Sequence, residues 1–301
     1  MNQRTLQRSY SFEGKGLHTG KYAHMTVGPA PADTGIRFRR TDLGPAAFVD
    51  AVAGNVSSTT RSTTISKGKA SVGTIEHILS ALTGLGVDNA QIDIDAPEVP
   101  ILDGSARMYV EAIGPDGLVE QEAERRWIEL TEEIVITDRK SGSYVRISPS
   151  EELSYSVTID FHSEVLGVQN VHWSPDMDYS TEVAPCRTFC FFHELEMLSR
   201  FGLVKGGDVE NAIVIVEKPV SDRKLAHMSK LFGQPMLKVS PSGYLSNLEL
   251  RYDDECGRHK LLDLMGDLRL AGGFLKAAIV AYKPGHRINT AAAVKIREKI
   301  I

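Results

Sequence analysis

The sequence predicts an α+β fold of two similar domains, each a β-sheet layered with helices. With 301 residues, the chain is about twice the usual length of one domain. Its clearest break is the segment 114–126, where a Gly-Pro-Asp-Gly turn is followed by a run of charged residues. We therefore expect an N-terminal domain over residues 1–122 and a C-terminal domain over residues 127–301.

A repeated pattern supports the similarity of the two halves. His77 is followed seven residues later by Gly84, and His259 is followed seven residues later by Gly266. Both stretches have the apolar periodicity of a helix, and an apolar strand follows each of them. The pattern predicts two α+β domains packed face to face, each contributing one helix with chemically active side chains.

Composition limits the classes of function. Hydrophobic residues make up 42% of the chain and charged residues 24%, which is typical of a globular protein. The net charge of −5 and the lack of a long basic run argue against nucleic acid as a partner. The start has no signal-peptide pattern, no apolar run approaches the ~20 residues of a membrane span, and the three cysteines are too few for a disulfide framework. We expect a cytoplasmic protein without a transmembrane segment.

The N-terminal half is predicted to begin with strands. The glycines of residues 14–20 are one position off a dinucleotide-binding fingerprint and are interpreted as a turn. Thr74 is the expected N-cap of a helix that Gly84 or Gly86 ends. The other expected elements are strands at 5–12, 23–27 and 87–95, exposed strands bordering a cleft within 55–66, and a helix that ends at 113.

The C-terminal half is predicted to contain strands, one unusual aromatic segment and two helices. The segment 184–207 combines aromatic residues with an amphipathic helix and a Gly-rich exit, which fits either core packing or a groove for an alkyl chain. The other expected elements are strands at 127–135, 144–148, 154–161 and from 278 to 282, a helix around 259–268, and a last helix after a turn bearing His286.

Three polar residues share one face of the helix around 259–268. His259, Asp263 and Asp267 are spaced at i, i+4 and i+8, so they project from the same side of an otherwise apolar helix. A carboxylate buried there needs a cationic partner, and a metal ion would provide one. Alone, the same spacing fits a solvated face. Glu76 and His77 lie in the first turn of the earlier predicted helix and are further candidates for the metal site. The alternative is that Glu76 only complements the helix dipole and that His77 is an ordinary surface histidine.

Together these residues predict a metal site. Two histidines and one aspartate, with a fourth position left to water, are the ligand set of a catalytic rather than a structural zinc. Zinc lowers the pKa of that water to about 7, and a nearby carboxylate can accept its proton. A structural zinc site is the competing interpretation, and it would use Cys186, Cys190, His193 and Cys256. It fits less well, because these residues do not have the sequence spacing of zinc knuckles.

At these residues the sequence resembles the UDP-3-O-acyl-N-acetylglucosamine deacetylases of lipid A biosynthesis. The matching segments follow the family's order along nearly the whole chain. They are residues 16–20, 74–77, 100–106, 187–189, 259–268 and 285–286.

The resemblance implies roles for individual residues. His77, His259 and Asp263 would hold Zn²⁺, and Glu76 would be the general base. The remaining implied roles are catalytic or substrate-binding. His286 would stabilise the oxyanion and protonate the leaving amine with Asp267 as its partner, Thr188 would donate its hydroxyl to the tetrahedral intermediate, and Lys260, Lys283, Phe161 and Phe189 would bind the substrate.

The resemblance also implies an architecture and an activity. The domains would pack helix layer to helix layer, each with an inserted element, and the insertion around residues 189–207 would form an acyl passage. Cys190 and the bulky residues 191 and 192 depart from the family pattern there. The implied reaction is hydrolysis of the acetamide of an acylated UDP-sugar by a monomeric enzyme. The alternatives are a zinc hydrolase of another amide or ester, and a non-enzymatic protein that binds a lipid or sugar nucleotide.

Overall fold

The computed structural model describes residues 1–200, 211–246 and 248–300. The first half contains β1 (Asn2–Leu6), β2 (Tyr10–Lys15), β3 (Tyr22–Pro29), β4 (Ile36–Arg40), β5 (Phe48–Asp50), β6 (Val56–Ser58), β7 (Thr64–Lys67), β8 (Ala70–Val72), α1 (Glu76–Leu85), β9 (Ala90–Ile94), α2 (Arg107–Ile113) and β10 (Leu118–Glu124). The second half contains β11 (Trp127–Glu129), β12 (Ile134–Asp138), β13 (Ser143–Pro149), β14 (Ser154–Asp160), β15 (Val168–Trp173), α3 (Tyr179–Glu182), β16 (Phe189–Phe191), α4 (Phe192–Arg200), β17 (Ile213–Ile215), α5 (Asp222–Leu231), α6 (Glu255–Arg269), β18 (Phe274–Tyr282) and α7 (His286–Ile300).

The main sheets of the two halves have the same topology. The first sheet has the order β2-β3-β9-β4-β5, and the second has the order β12-β13-β18-β14-β15, with β11 as a sixth strand that pairs in parallel with β18. In each, the last strand in sequence lies at the centre, antiparallel to the second strand and parallel to the third. In each, one helix precedes that central strand and another follows it. The predicted α+β fold of two similar halves is confirmed.

Helix α1 is specified by its apolar residues and by the glycine at its end. Ile78, Leu79 and Leu82 are fully buried, and Gly86 ends the helix in the left-handed conformation at φ 81°. Thr74 is not the N-cap, contrary to the prediction. Its own φ is 57°, and its hydroxyl donates a hydrogen bond to Glu98 instead.

The two halves meet through their helices, with α1 packed against α6. The close approach depends on Gly266, because a Cβ at this position would lie 2.0 Å from the carbonyl oxygen of Glu76. Apolar side chains of both helices belong to one continuous core. Glycine therefore lets the first turn of α1 lie directly against the C-terminal half of α6.

Three predicted segments differ from the observed ones. The expected strand 5–12 is divided between β1 and β2, which belong to different sheets. The expected strand 127–135 is divided between β11, which pairs with β18, and β12, which pairs with β13. The expected linker contains β10, which pairs antiparallel with β1. The charged residues of β10 are typical of a linker. Its hydrogen bonds to β1, at the start of the chain, make it a strand instead. The domain boundaries at 122 and 127 remain a prediction.

Each half carries an inserted element between its fourth main strand and its first main helix. In the first half this is the three-stranded sheet β6-β7-β8, and in the second half it contains β16, α4, β17 and α5. Strands β16 and β17 pair in parallel, so the second insertion extends beyond residue 207. The part of the predicted acyl passage at 201–207 lies outside the described residues. Within the described residues, no helix is long and apolar enough to cross a membrane.

Candidate active site

His77, His259 and Asp263 converge where α1 crosses α6. Their ligand atoms all lie within 4.8 Å of one another. The Nε2 atoms of His77 and His259 lie 3.7 Å and 3.4 Å from Oδ1 of Asp263. All three side chains are buried. The predicted approach of the 76–77 turn to the 259–263 turn is therefore present in the structure.

The protonation of these groups fits a divalent cation. Burial lowers the pKa of both histidines, to about 3 for His77, so both imidazoles are neutral. Nδ1 of His259 lies 3.0 Å from the carbonyl oxygen of Cys186, which fixes the proton on Nδ1 and leaves the Nε2 lone pair facing the other ligands. Neutral imidazoles with oriented lone pairs are the form in which histidine binds metal.

Asp263 supplies the negative charge of this set. Burial alone would raise its pKa, but His259 and the Lys260 ammonium lower it below its ordinary value. Lys260 Nζ donates to Oδ2 of Asp263 at 2.8 Å, which leaves Oδ1 facing the two histidines. Two neutral imidazoles and one ionised carboxylate match the donors of a catalytic zinc site.

Glu76 lies beside this donor set. Burial raises its pKa to about 8, with Asp267 and Asp263 adding to the effect and His286 opposing it. Its Oε2 accepts a hydrogen bond from the backbone N–H of Thr63 at 3.0 Å, and its Oε1 lies 3.9 Å from Nε2 of His286. A buried carboxylate of raised pKa is a stronger base than an exposed one.

His286, the first residue of α7, is held by Asp267 of α6. Burial alone would lower the pKa of His286, but the Asp267 and Glu76 carboxylates raise it to about 9. Its Nδ1 lies 3.0 Å from Oδ2 of Asp267, which also accepts from Asn289 Nδ2 at 2.9 Å. The imidazolium therefore keeps Nδ1 engaged and directs Nε2 toward Glu76.

Two of the predicted substrate-binding residues, Lys260 and Phe189, lie beside the metal-binding candidates. The Phe189 ring lies 6.4 Å from the His259 ring and 5.6 Å from the ring of Phe161, which is 42% exposed. Lys260 Nζ lies 5.4 Å from the centre of the Phe189 ring. Lys283 forms an ion pair with Asp160 at 3.3 Å. Lys260 and Phe189 therefore border the metal-binding candidates, Phe161 lies next to Phe189, and Lys283 lies beside Asp160.

Thr188 is positioned through its backbone. Its N–H donates to the carbonyl of Gly104 at 2.8 Å, and its carbonyl accepts from Ile213 N–H at 2.9 Å. The preceding residue, Arg187, is buried and paired with Glu255 at the start of α6. These bonds fix the backbone of Thr188 next to Phe189, whose ring lies beside that of His259.

Sequence reasoning missed two residues that hold the centre. Thr63 bonds Glu76 through its N–H and Asp267 through its hydroxyl, and Asn289 binds Asp267. The hydroxyl-rich stretch 55–66 predicts exposed strands that border a cleft, but nothing in its pattern distinguishes Thr63 from the neighbouring threonines and serines. The alternative cysteine site is not among the metal-binding groups of the described residues. Burial raises the pKa of Cys186, Cys190 and Cys256, which disfavours the thiolate that metals bind.

The fold and this centre define a class of protein. Two neutral histidines, an ionised aspartate, a basic carboxylate and an imidazolium, gathered between two α+β halves, are the side chains of a metal-dependent hydrolase. The family model described as "UDP-3-O-acyl N-acetylglycosamine deacetylase", LpxC, matches residues 3–231 and 234–298. The chain belongs to this family.

Curated relatives agree across nearly the whole chain. A UDP-3-O-acyl-N-acetylglucosamine deacetylase of Saccharophagus degradans is 40% identical over 98% of this chain and 90% of its own length. A protein of the same name from Nostoc is 37% identical over 98% of each chain. The bifunctional enzyme LpxC/FabZ of Porphyromonas gingivalis is 43% identical over 99% of this chain. The chain spans 64% of the length of that bifunctional relative.

Proposed function

We propose that the protein hydrolyses the acetamide of UDP-3-O-acyl-N-acetylglucosamine with Zn²⁺, giving UDP-3-O-acyl-glucosamine and acetate, an early step of lipid A biosynthesis. The observation that carries the proposal is the convergence of His77, His259 and Asp263 beside Glu76 and His286. The names of the full-length relatives supply the substrate. A cytoplasmic location and a monomeric state remain predictions from the sequence.

His77, His259 and Asp263 would hold the metal. Zn²⁺ bound there would polarise the acetamide carbonyl and make a water molecule acidic near neutral pH. Positive charge at these ligands would also lower the raised pKa of Glu76, since opposite charges within a few ångströms favour the ionised form. Glu76 would then be ionised and ready to accept a proton at working pH.

The proton transfers follow from the positions of Glu76 and His286. Glu76 takes a proton from the attacking water while the water oxygen bonds to the acetamide carbon. His286, whose Nδ1 is held by Asp267, donates a hydrogen bond from Nε2 to the developing oxyanion, and then transfers that same proton to the nitrogen as the carbon–nitrogen bond breaks and the carbonyl re-forms. The Thr188 hydroxyl adds a second donor for the oxyanion. The products are acetate and a free amine.

The remaining predicted residues would bind the rest of the substrate. Lys260 and Lys283 carry positive charge suited to the nucleotide phosphates, and Phe161 offers an exposed ring for stacking on uracil. Phe189 would line the entrance to the acyl passage. The passage would continue into the second insertion.

Zinc quantification combined with a deacetylation assay on the acylated UDP-sugar tests the proposal. We expect about one zinc per chain, and loss of activity after chelation that zinc restores. Glu76→Ala should retain zinc and lose activity by a factor of about 10²–10⁴, because only the base is removed. His77→Ala should lose both zinc and activity.

Two results would contradict the proposal. Equal turnover of a short acetamide lacking nucleotide and acyl chain would indicate a hydrolase of another substrate. Substrate binding that persists without zinc, with no acetate released, would indicate a non-enzymatic binding protein.

A further inference from the structure

A polar cavity of about 250 Å³ lies apart from the candidate active site, where the loop after α6 meets the first half of the chain. None of the catalytic or metal-binding candidates lines it. The charged residues that line it are Asp33, Asp50, Asp88, Arg126, Arg269 and Arg297. The three aspartates belong to the first half of the chain, Arg269 and Arg297 belong to the second half, and Arg126 lies in the segment that connects the halves.

Arg269 is a buried cation whose hydrogen bonds are incomplete. Its side chain lies over the Phe274 ring at 4.3 Å, and Nη2 donates to the carbonyls of Val87 and Asp88 at 3.0 Å and 3.1 Å. Nη1 is buried and has no hydrogen-bond partner among the described residues. Burial lowers the pKa of Arg269 to about 10, which leaves the guanidinium charged at neutral pH. An unpaired buried charge is costly unless a ligand or water meets it.

Carboxylates that line the cavity are already engaged elsewhere. Asp88 is paired with both Nε and Nη2 of Arg125, at 2.9 Å and 2.6 Å. Asp50 is paired with Arg37 at 2.6 Å. Asp33 accepts a hydrogen bond from Gln3 at 2.9 Å and lies 3.8 Å from the nearest arginine nitrogen of the cavity. Asp88 therefore compensates the charge of Arg269 only in part, because the same carboxylate is bonded to Arg125.

Two further arginines offer donors to the same cavity. Arg297 Nη1 donates to the carbonyl of Ala271 at 3.1 Å, next to Gly272. A Cβ on Gly272 would lie 2.5 Å from that nitrogen, so glycine lets the loop accommodate the guanidinium. The Arg126 side chain is 86% exposed at the rim. Guanidinium groups bind carboxylate and phosphate oxygens through paired hydrogen bonds.

We infer that this cavity binds a small oxyanion, a phosphate or carboxylate group, between Arg269, Arg297 and Arg126. Such a ligand would place a negative charge beside the Arg269 guanidinium and would join the loop after α6 to the first half of the chain. Water could fill the same space, so the inference requires saturable binding that depends on the arginines.

Trp127 provides a local reporter of binding. It follows Arg126 in the chain, and its ring lies 6.1 Å from the Phe274 ring beneath Arg269. The other tryptophan is Trp173, so Trp173→Phe leaves Trp127 as the single emitter. Inorganic phosphate and malonate are titrated separately into the intact chain at constant ionic strength, which is kept with chloride. Trp127 emission and the melting temperature are recorded.

Saturable changes in both signals are expected with at least one of the two anions, and the preferred anion identifies the ligand class. Arg297→Gln should weaken binding about tenfold, the loss of one charge-assisted contact. Asp33→Asn should strengthen it, because a like charge is removed from the lining. Arg146→Gln is the matched control, since this arginine lies outside the cavity.

Two outcomes would overturn the inference. One is the absence of a saturable response to either anion in both signals. The other is equal affinity in the Arg297→Gln protein, which would assign the anion to another place such as the candidate active site. Arg269 also holds two carbonyls of the first half, so its substitution would disturb the packing, and Arg297→Gln is the variant that decides.

Discussion

The hydroxyl of Thr63 donates a 2.6 Å hydrogen bond to Oδ1 of Asp267, joining a loop of the first half to α6 of the second. The backbone N–H of the same threonine binds Glu76. The other oxygen of Asp267 meets His286 and Asn289. Thr63 therefore supports both proton-transferring residues. It bonds the base Glu76 directly, and it supports the acid His286 indirectly, through Asp267.

Thr63→Val should lower kcat about tenfold with little change in KM, because Asp267 loses a buried donor and holds His286 less firmly. Zinc content should stay unchanged, since Thr63 touches none of the three metal-binding candidates. Thr63→Ser keeps the hydroxyl and should restore most of the rate. A loss confined to stability, with kcat intact in the folded fraction, would reduce Thr63 to a structural role.

The pH dependence of kcat/KM should report His286. Its pKa is raised, so the imidazolium is present below that pKa and is lost as the pH rises through it. If the proton on Nε2 is required, activity should fall at alkaline pH. His286→Gln should lower the rate about 10²-fold and flatten the alkaline fall. His172→Gln, on the exposed face of β15, is the surface-histidine control and should keep both rate and profile. An alkaline fall that survives in His286→Gln would assign it to another group.

The helical positions of the active residues could be predicted from the sequence. The residues that hold those side chains and helices in place could not. His259, Asp263 and Asp267 follow a helical spacing, and the repeated seven-residue interval to glycine identified the paired helices. The role of Gly266 as the contact point with Glu76 needed the structure, because the interval alone does not say what approaches the glycine.

Long-range contacts explain the remaining differences. Threonine is a common N-cap residue, but the Thr74 hydroxyl donates its hydrogen bond to Glu98. The backbone of Thr74 is also in the left-handed conformation, which an N-cap residue does not adopt. Strand β10 could not be predicted from its own sequence, because its partner β1 lies at the opposite end of the first half. Pairings of this kind depend on register between distant segments, which local propensity does not encode.

Gly266→Ala should damage both stability and the metal site. The new methyl group would lie 2.0 Å from the backbone oxygen of Glu76, so α1 and α6 must separate. We expect a loss of about 1–3 kcal/mol in the free energy of unfolding and weaker zinc binding, because His77 moves with α1. Gly54→Ala is the matched control, since a Cβ at that position lies within 4 Å of no atom of the described residues. Urea unfolding and zinc titration measure both effects, and equal stability of the two variants would contradict the close-packing argument.

Asp103 should stabilise the protein in a pH-dependent way. It joins the start of α2 to the second half, where Arg251 Nη2 donates to it at 3.0 Å. Burial alone would raise its pKa, but the Ser105 hydrogen bond and Arg251 hold it below its ordinary value. A carboxyl with a lowered folded-state pKa stabilises the fold above its unfolded pKa of about 4, and this contribution disappears as the pH falls through the folded-state pKa.

Asp103→Asn should therefore cost about 2 kcal/mol in urea unfolding at pH 7 and much less at the lowest pH at which both proteins fold. Glu298→Gln, which removes an exposed partner of Lys295, is the control and should change stability by under about 1 kcal/mol at either pH. If the loss of stability in Asp103→Asn stayed constant with pH, it would come from shape and hydrogen bonding at this position. The ion pair between Asp103 and Arg251 would then not contribute.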